Sequence, residues 1–228
     1  RRVNVGFALM ILQRRLASSP ESIYRSLIRR REKLESRLRE ARILLKGRKA
    51  KVPFYASILD DLDDDIFDDT FEDSPQEEQE ELEEKLIDNA TAAATIDELE
   101  IEIQTLIRLE ALAKAVVRSG QDAKWNQLDT ILDNPLMTDA DGNRRKLVIF
   151  SEFRDTLSYL TRRIRNRLGR DEAVVEIHGG VTRESRRAVV TGFMNDPEVL
   201  VLVANDAAGE GVNLQRAHLM VNYDLPWN

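Results

Sequence analysis

The sequence predicts an α/β protein: a parallel sheet covered by helices in its last third, preceded by an α-helical hairpin of coiled-coil-like character. Two observations carry this. Short runs rich in Val, Ile and Leu at 146–151, 173–177, 199–204 and 218–223 alternate with segments 154–168 and 183–194 of helical spacing. Continuous apolar strands alternating with helices imply a sheet buried on both faces, joined by right-handed crossovers. Earlier in the chain Ile23, Leu27, Leu34, Leu38, Ala41 and Leu45 recur at four- and seven-residue steps, one apolar stripe of a helix. The expected division is a helical region over 1–122 and an α/β lobe over 123–228.

At 228 residues the chain is long enough to bury a core, and its net charge of −7 conceals a segregation. Residues 1–51 hold 16 Lys/Arg against 4 Asp/Glu, whereas residues 60–84 hold 15 acids and no base. The acidic average therefore argues nothing about nucleic acid. With no cysteine there is no disulfide framework, Cys-type zinc site or thiol nucleophile, which fits a reducing, cytoplasmic setting. The apolar run at 3–12 is short of the roughly 20 residues a bilayer requires, so no membrane partner is expected.

In the helical region Ser19-Pro20-Glu21 separates two helices, Ser19 placed to cap and Pro20 suited to the first helical position. On the second helix Arg25, Arg29, Arg30, Arg31, Lys33, Arg37, Arg39 and Arg42 crowd the faces beside the stripe. They would offer phosphates a row of fixed charge, or simply solvate the helix. Residues 60–84 repel themselves too strongly to fold unaided, so a mobile acidic insertion is expected at about 52–75. After Pro75, helical spacing through Ile96, Leu99, Ile103, Leu106, Leu109, Ala113 and Val116 predicts one long helix that stops at Gly120. Asp97-Glu98-Leu99-Glu100 would then lie mid-helix, away from the buried strand that a magnesium-holding acidic box follows. A helix over 123–132 leads to Asp139-Ala140-Asp141-Gly142-Asn143, which has part of a calcium-loop pattern but lacks the closing Glu and reads as a turn. No metal site is expected.

In parallel sheets ligands bind beyond the carboxyl ends of the strands, and there the polar residues collect. Ser151-Glu152-Phe153 follows the first run, His178-Gly179-Gly180 the second, Asn205-Asp206 and Gly209-Glu210-Gly211 the third, and Asp224 the fourth. Phe150 and Phe153 suit either base stacking or the core.

Together these stretches, KLVIFSEFRDT, EIHGG, VLVANDAAGEGVNLQRA and VNYDLPWN, resemble the second RecA-like lobe of superfamily 2 helicases, P-loop NTPase-type in fold. They are most similar to Swi/Snf-related DNA translocases, a group that includes a bacterial RNA-polymerase-associated recycling ATPase. The resemblance implies that Gly209, Glu210, Gly211 and Asn213 face nucleotide, Asn213 reaching the ribose. It implies that Ser151, His178, Gly179, Asn205 and Asp206 follow the nucleic-acid strand; Asn205 departs from the usual Thr or Ser. The loop around Glu210 is not the primary phosphate cradle, which would explain a carboxylate between two glycines.

No GxxxxGK[ST] occurs, and the sequence stops at Leu225-Pro226-Trp227-Asn228, short of the arginine-bearing motif the family carries next. Such an arginine is worth roughly 10³ to 10⁵ in rate. The chain is therefore expected to be a piece of a larger ATPase, silent alone, with ATP and Mg held against a lobe it lacks. The resemblance implies double-stranded DNA as partner, with RNA polymerase or another nucleoprotein as target, in a bacterial or archaeal cytoplasm near the nucleoid. A docking scaffold built on the helical arm is the alternative. A metabolic α/β enzyme is disfavoured, since no acid/base or nucleophile pair stands out.

Overall fold

The computed structural model describes residues 2–47, 76–91, 93, 95–205, 217 and 219–224. The chain divides into two compact units, Arg1–Leu16 with Ile23–Gly120, and Ala17–Ser22 with Gln121–Asn228.

The first unit contains helices α1 (Arg2–Ser18), α2 (Pro20–Gly47), α3 (Gln76–Asn89) and α4 (Ile96–Ser119). The predicted stripe does its packing on α4: Leu27, Leu34 and Leu38 meet Leu99, Ile103 and Leu106. Each such side chain stabilises the fold by about 1.5–3 kcal/mol when fully buried. α2 and α4 run antiparallel, because Arg42 bonds Glu100 at 2.6 Å while Arg31, three turns earlier, bonds Glu110 at 2.7 Å. Arg30, Arg31 and Arg42 of α2 therefore face acids of α4 rather than forming a bare phosphate track, while Lys33 and Arg39 lie exposed as a solvated face would. Arg29 pairs with Glu84, and Arg30 is buried between the Glu102 carboxylate and the Ile87 carbonyl.

The structure corrects two expectations here. The acidic block does not stay apart from the fold along its whole length: residues 76–84 lie in α3, where buried Glu83 accepts from Arg14 at 2.8 Å. The neighbouring arginines compensate the charge that, counted along the sequence alone, forbids folding. The expected insertion at about 52–75 lies outside the described residues. Nor is there one long helix up to Gly120. α4 starts anew at Thr95, whose hydroxyl accepts from the Glu98 amide at 3.2 Å while the Glu98 carboxylate accepts from the Thr95 amide at 3.2 Å. That reciprocal pair is a capping box. Asp97 and Glu98 accordingly sit in a first turn rather than mid-helix, where the helix dipole favours acids.

The second unit begins, after the Ala17–Ser22 elbow, with α5 (Ala123–Leu132), capped by Asp122. Asp139 then closes a hairpin turn: its carboxylate accepts from the amides of Asp141 and Asn143, hydrogen bonds that hold its pKa below the usual carboxylate range. The α/β part follows as β1 (Leu147–Phe150), α6 (Arg154–Leu168), β2 (Val174–Ile177), α7 (Arg183–Asn195), β3 (Val201–Ala204) and β4 (Leu219–Asn222). All pairings are parallel, in the order β2-β3-β1-β4.

Alternation along the strands divides the core in two. Leu147, Ile149, Val174, Val201 and Val203 pack with Leu157, Leu160 and Ile164 of α6 and with Trp125, Leu128 and Leu132 of α5. Val148, Ile177, Leu202 and Ala204 pack with Phe193 of α7. Strand neighbours of opposite parity thus feed opposite faces, so α6 and α7 cover the sheet from its two sides. Among the described residues no helix is long and apolar enough to cross a membrane.

Thr95→Ala is expected to lower the unfolding free energy by about 1 kcal/mol in a denaturant melt. With Glu98→Ala already present, the same change should cost less, since the box is reciprocal.

Candidate nucleic-acid interface

The register brings the candidates among the described residues, Ser151, His178, Gly179 and Asn205, onto one edge. Phe150 lies opposite both Ala204 and Asn222, and Ile177 lies opposite Ala204, so all four strands end on the same line. The ladder runs one residue further: the amides of Ser151, Asn205 and Tyr223 donate to Ala204, Ile177 and Phe150 at 3.0, 3.2 and 2.8 Å. Ser151, His178 and Asn205 therefore leave the ends of adjacent strands, which are spaced about 4.8 Å apart.

They are not equally accessible. His178 and Gly179 are half-buried, whereas Asn205 and Ser151 are buried. A Cβ placed on Gly180 would sit 3.4 Å from the His178 ring and 4.0 Å from the Arg154 guanidinium, so the turn after β2 passes close to both side chains. Phe153, 1% exposed at the start of α6, is a core residue rather than a stacking platform, whereas Phe150 is half-buried and packs against the core that holds Phe193. Asp206, Gly209, Glu210, Gly211 and Asn213 lie outside the described residues.

Sequence reasoning missed what surrounds Ser151. Its hydroxyl donates to Asp224 Oδ2 at 2.6 Å, an oxygen that also accepts from the Ser18 hydroxyl at 2.9 Å and the Glu152 amide at 3.1 Å. The other oxygen, Oδ1, accepts from Lys124 Nζ at 2.7 Å. Lys124 also donates to the carbonyls of Ala17 and Ser18 and lies 4.1 Å from the centre of the Tyr223 ring. Ser18 and Ser19 each share a hydrogen bond with buried Thr156, at 2.7 and 2.8 Å, and Ser19 caps α2 through the Ser22 amide. Asp224 showed in the sequence only as a polar residue after a strand. Nothing local to Lys124, Thr156 or Ser18 announces a shared carboxylate.

Beside this network Tyr159 donates to Asp122 Oδ2 at 2.8 Å and accepts from Arg163, whose guanidinium lies 4.4 Å from the Trp125 ring centre. Burial pushes the Tyr159 phenol up to about 12, with Arg163 opposing the shift and Asp122 adding to it. Tyr223 is raised as well, again mainly by burial.

Residues 123–228 match the family described as helicase conserved C-terminal domain. An uncharacterized ATP-dependent helicase, YqhH, from Bacillus subtilis is 37% identical over 83 residues, which are 36% of this chain and 14% of that protein. The ATP-dependent RNA helicase FAL1 of Lodderomyces elongisporus is 30% identical over 106 residues, 46% of this chain and 24% of that one. The chain spans 12–31% of the length of the curated relatives it matches. Among solved structures, the Sulfolobus solfataricus SWI2/SNF2 ATPase C-terminal domain is 23% identical with a TM-score of 0.41, covering 56% of this chain and 59% of that one. The SWI2/SNF2 ATPase core from the same organism in complex with dsDNA gives 23% and 0.42, covering 55% and 27%. With a parallel sheet covered on both faces, the part of the chain that matches the helicase conserved C-terminal domain has the layered architecture expected of a RecA-like lobe.

Because its folded pKa is raised, the phenol of Tyr159 contributes stability that is complete below its ordinary value near 10 and is lost as pH rises through about 12. Tyr159→Phe should shrink the alkaline loss in a pH series of melts to the part that Tyr223 contributes. It should also cost about 1–2 kcal/mol at pH 7, by leaving Asp122 and Arg163 without the hydroxyl between them.

Proposed function

We propose that this lobe works in an ATP-dependent translocase of the Swi/Snf-related branch, gripping double-stranded nucleic acid, foremost DNA, by its phosphate backbone. The carrying observation is the in-register edge that gathers Ser151, His178, Gly179 and Asn205 at the ends of three adjacent strands, within residues matched by the helicase family. In this reading Asp206 continues the nucleic-acid track, and Gly209, Glu210, Gly211 and Asn213 meet the nucleotide. The two glycines allow the close backbone approach that side chains would block.

ATP bound between this lobe and a partner lobe supplies the closing force, and Mg belongs to that partner lobe. Residues 123–228 then contribute alternate grips on the backbone, which turn closure and reopening into steps. Backbone gripping gives little base specificity and a steep salt dependence. The lobe alone would be silent. The setting is cytoplasmic, and RNA polymerase or another nucleoprotein is the target class.

A second reading, a docking scaffold on the helical unit, has one observation in its favour. Ile101 and Leu112 on α4 are 66% and 65% exposed, and Leu109 and Val116 lie exposed on the same side of the helix. The relatives named RNA helicases make the choice of polymer the first thing to measure. ATP turnover by the full-length protein, at one fixed salt concentration, is expected to rise most with double-stranded DNA, less with single-stranded DNA or RNA. Equal or greater stimulation by RNA would replace DNA in this proposal. No stimulation by any of them would favour the scaffold.

A further inference from the structure

We infer that Asp224 is a positioning residue for nucleic-acid engagement: one carboxylate fixes the Ser151–Glu152 turn, so Ser151 acts through it rather than as an independent phosphate donor. This rests on the translocase reading above. Ser151 is 1% exposed, and its single hydroxyl proton is directed to Asp224 Oδ2 at 2.6 Å. A serine oxygen carries one donor, so this proton cannot also serve a phosphate. The Glu152 amide, next along the same turn, donates to the same oxygen at 3.1 Å. With Ser18, three donors converge on Oδ2, and Lys124 Nζ holds Oδ1 at 2.7 Å.

The carboxylate side chain is only 11% exposed, so these protein donors take the place of solvent around it. Hydrogen bonds to an ionised acceptor are the stronger kind, and four of them on one side chain set its orientation. β4 and β1 are adjacent, in register at Phe150 and Asn222, so Asp224 ties the exit of one strand to the exit of the next. The turn that carries Ser151, and the line it forms with His178 and Asn205, is thereby held from β4.

An amide of the same shape cannot do this. In Asp224→Asn one end of the side chain becomes an NH2 group, which must face either the three donors now on Oδ2 or the ammonium of Lys124. The prediction is a loss of engagement rather than of the chemical step.

The test is a double-mutant cycle in the full-length protein, read as ATP turnover against concentration of whichever polymer stimulates the wild type, double-stranded DNA, single-stranded DNA or RNA, with thermal melts of every variant. D224N is expected to raise the half-saturating concentration about tenfold while turnover at saturation falls less than about threefold. S151A should raise it by a smaller factor, and D224N/S151A should be no worse than D224N, because both act through one turn. A D224N protein that matches the wild type overturns the inference. So does a cycle in which the two losses multiply in full, since Ser151 would then meet the phosphate on its own account. A wild type stimulated by no polymer defeats the translocase reading, and this one with it. Should D224N melt below the assay temperature, S18A and K124Q each remove one partner that orients the carboxylate while keeping Ser151 and the Glu152 amide as its donors. Each should raise half-saturation about threefold, and wild-type values for both would sink the idea.

Discussion

The parallel ladder that holds β1 between β3 and β4 is the constraint on which the candidate interface rests. Its pairings bring Phe150, Ala204 and Asn222 to a common end, and the strands are only four residues long. A slip of one residue would exchange the faces of Leu147 and Val148, moving one from the α6 side and the other from the α7 side. Phe193 and Leu157, each fully buried on its own side, would then meet the wrong partners. Two cores with different occupants specify the register, and the register lines up the polar residues that follow the strands.

How far this was legible in the sequence depended on the range of each signal. The strands and α5, α6 and α7 were readable because continuous Val/Ile/Leu runs and four-residue spacings are local patterns, and burial on both faces leaves them uninterrupted. The break before α4 was missed because apolar spacing continues across it. The Thr95-x-x-Glu98 box that marks it was nonetheless in plain view. Asp224 is different in kind: its partners Ser18, Lys124 and Ser151 stand 206, 100 and 73 positions away. No window of sequence contains them together. The candidate line of Ser151, His178 and Asn205 was visible from strand ends alone, whereas the burial of Ser151 and Phe153 needed coordinates.

Charge gave the less direct lesson. A helix with many arginines invites a nucleic-acid reading, yet Arg30 and Arg31 are turned toward Glu102 and Glu110, and Arg14 toward Glu83. A buried guanidinium left alone would cost several kcal/mol, so the acids are required by the arginines as much as the reverse. The basic and acidic segments are best understood as halves of one folded unit. Asp88 shows the cost of that arrangement: burial raises its pKa even with Arg29, Arg15 and Arg30 nearby.

The six-residue elbow Ala17–Ser22 groups with the α/β unit although the next 98 residues, Ile23–Gly120, do not. On a ribosome this has a temporal meaning. Ser18 is made well before its acceptor, for the carboxylate it donates to follows 206 residues later. At about 5–20 residues per second the interval is roughly 10–40 s. During that time the Ser18 hydroxyl lacks its carboxylate acceptor, and Lys124, made about halfway through, has no counter-ion at Asp224. Closure of this seam is therefore tied to synthesis of β4, so a nascent chain carries there a set of donors whose shared carboxylate has yet to be made.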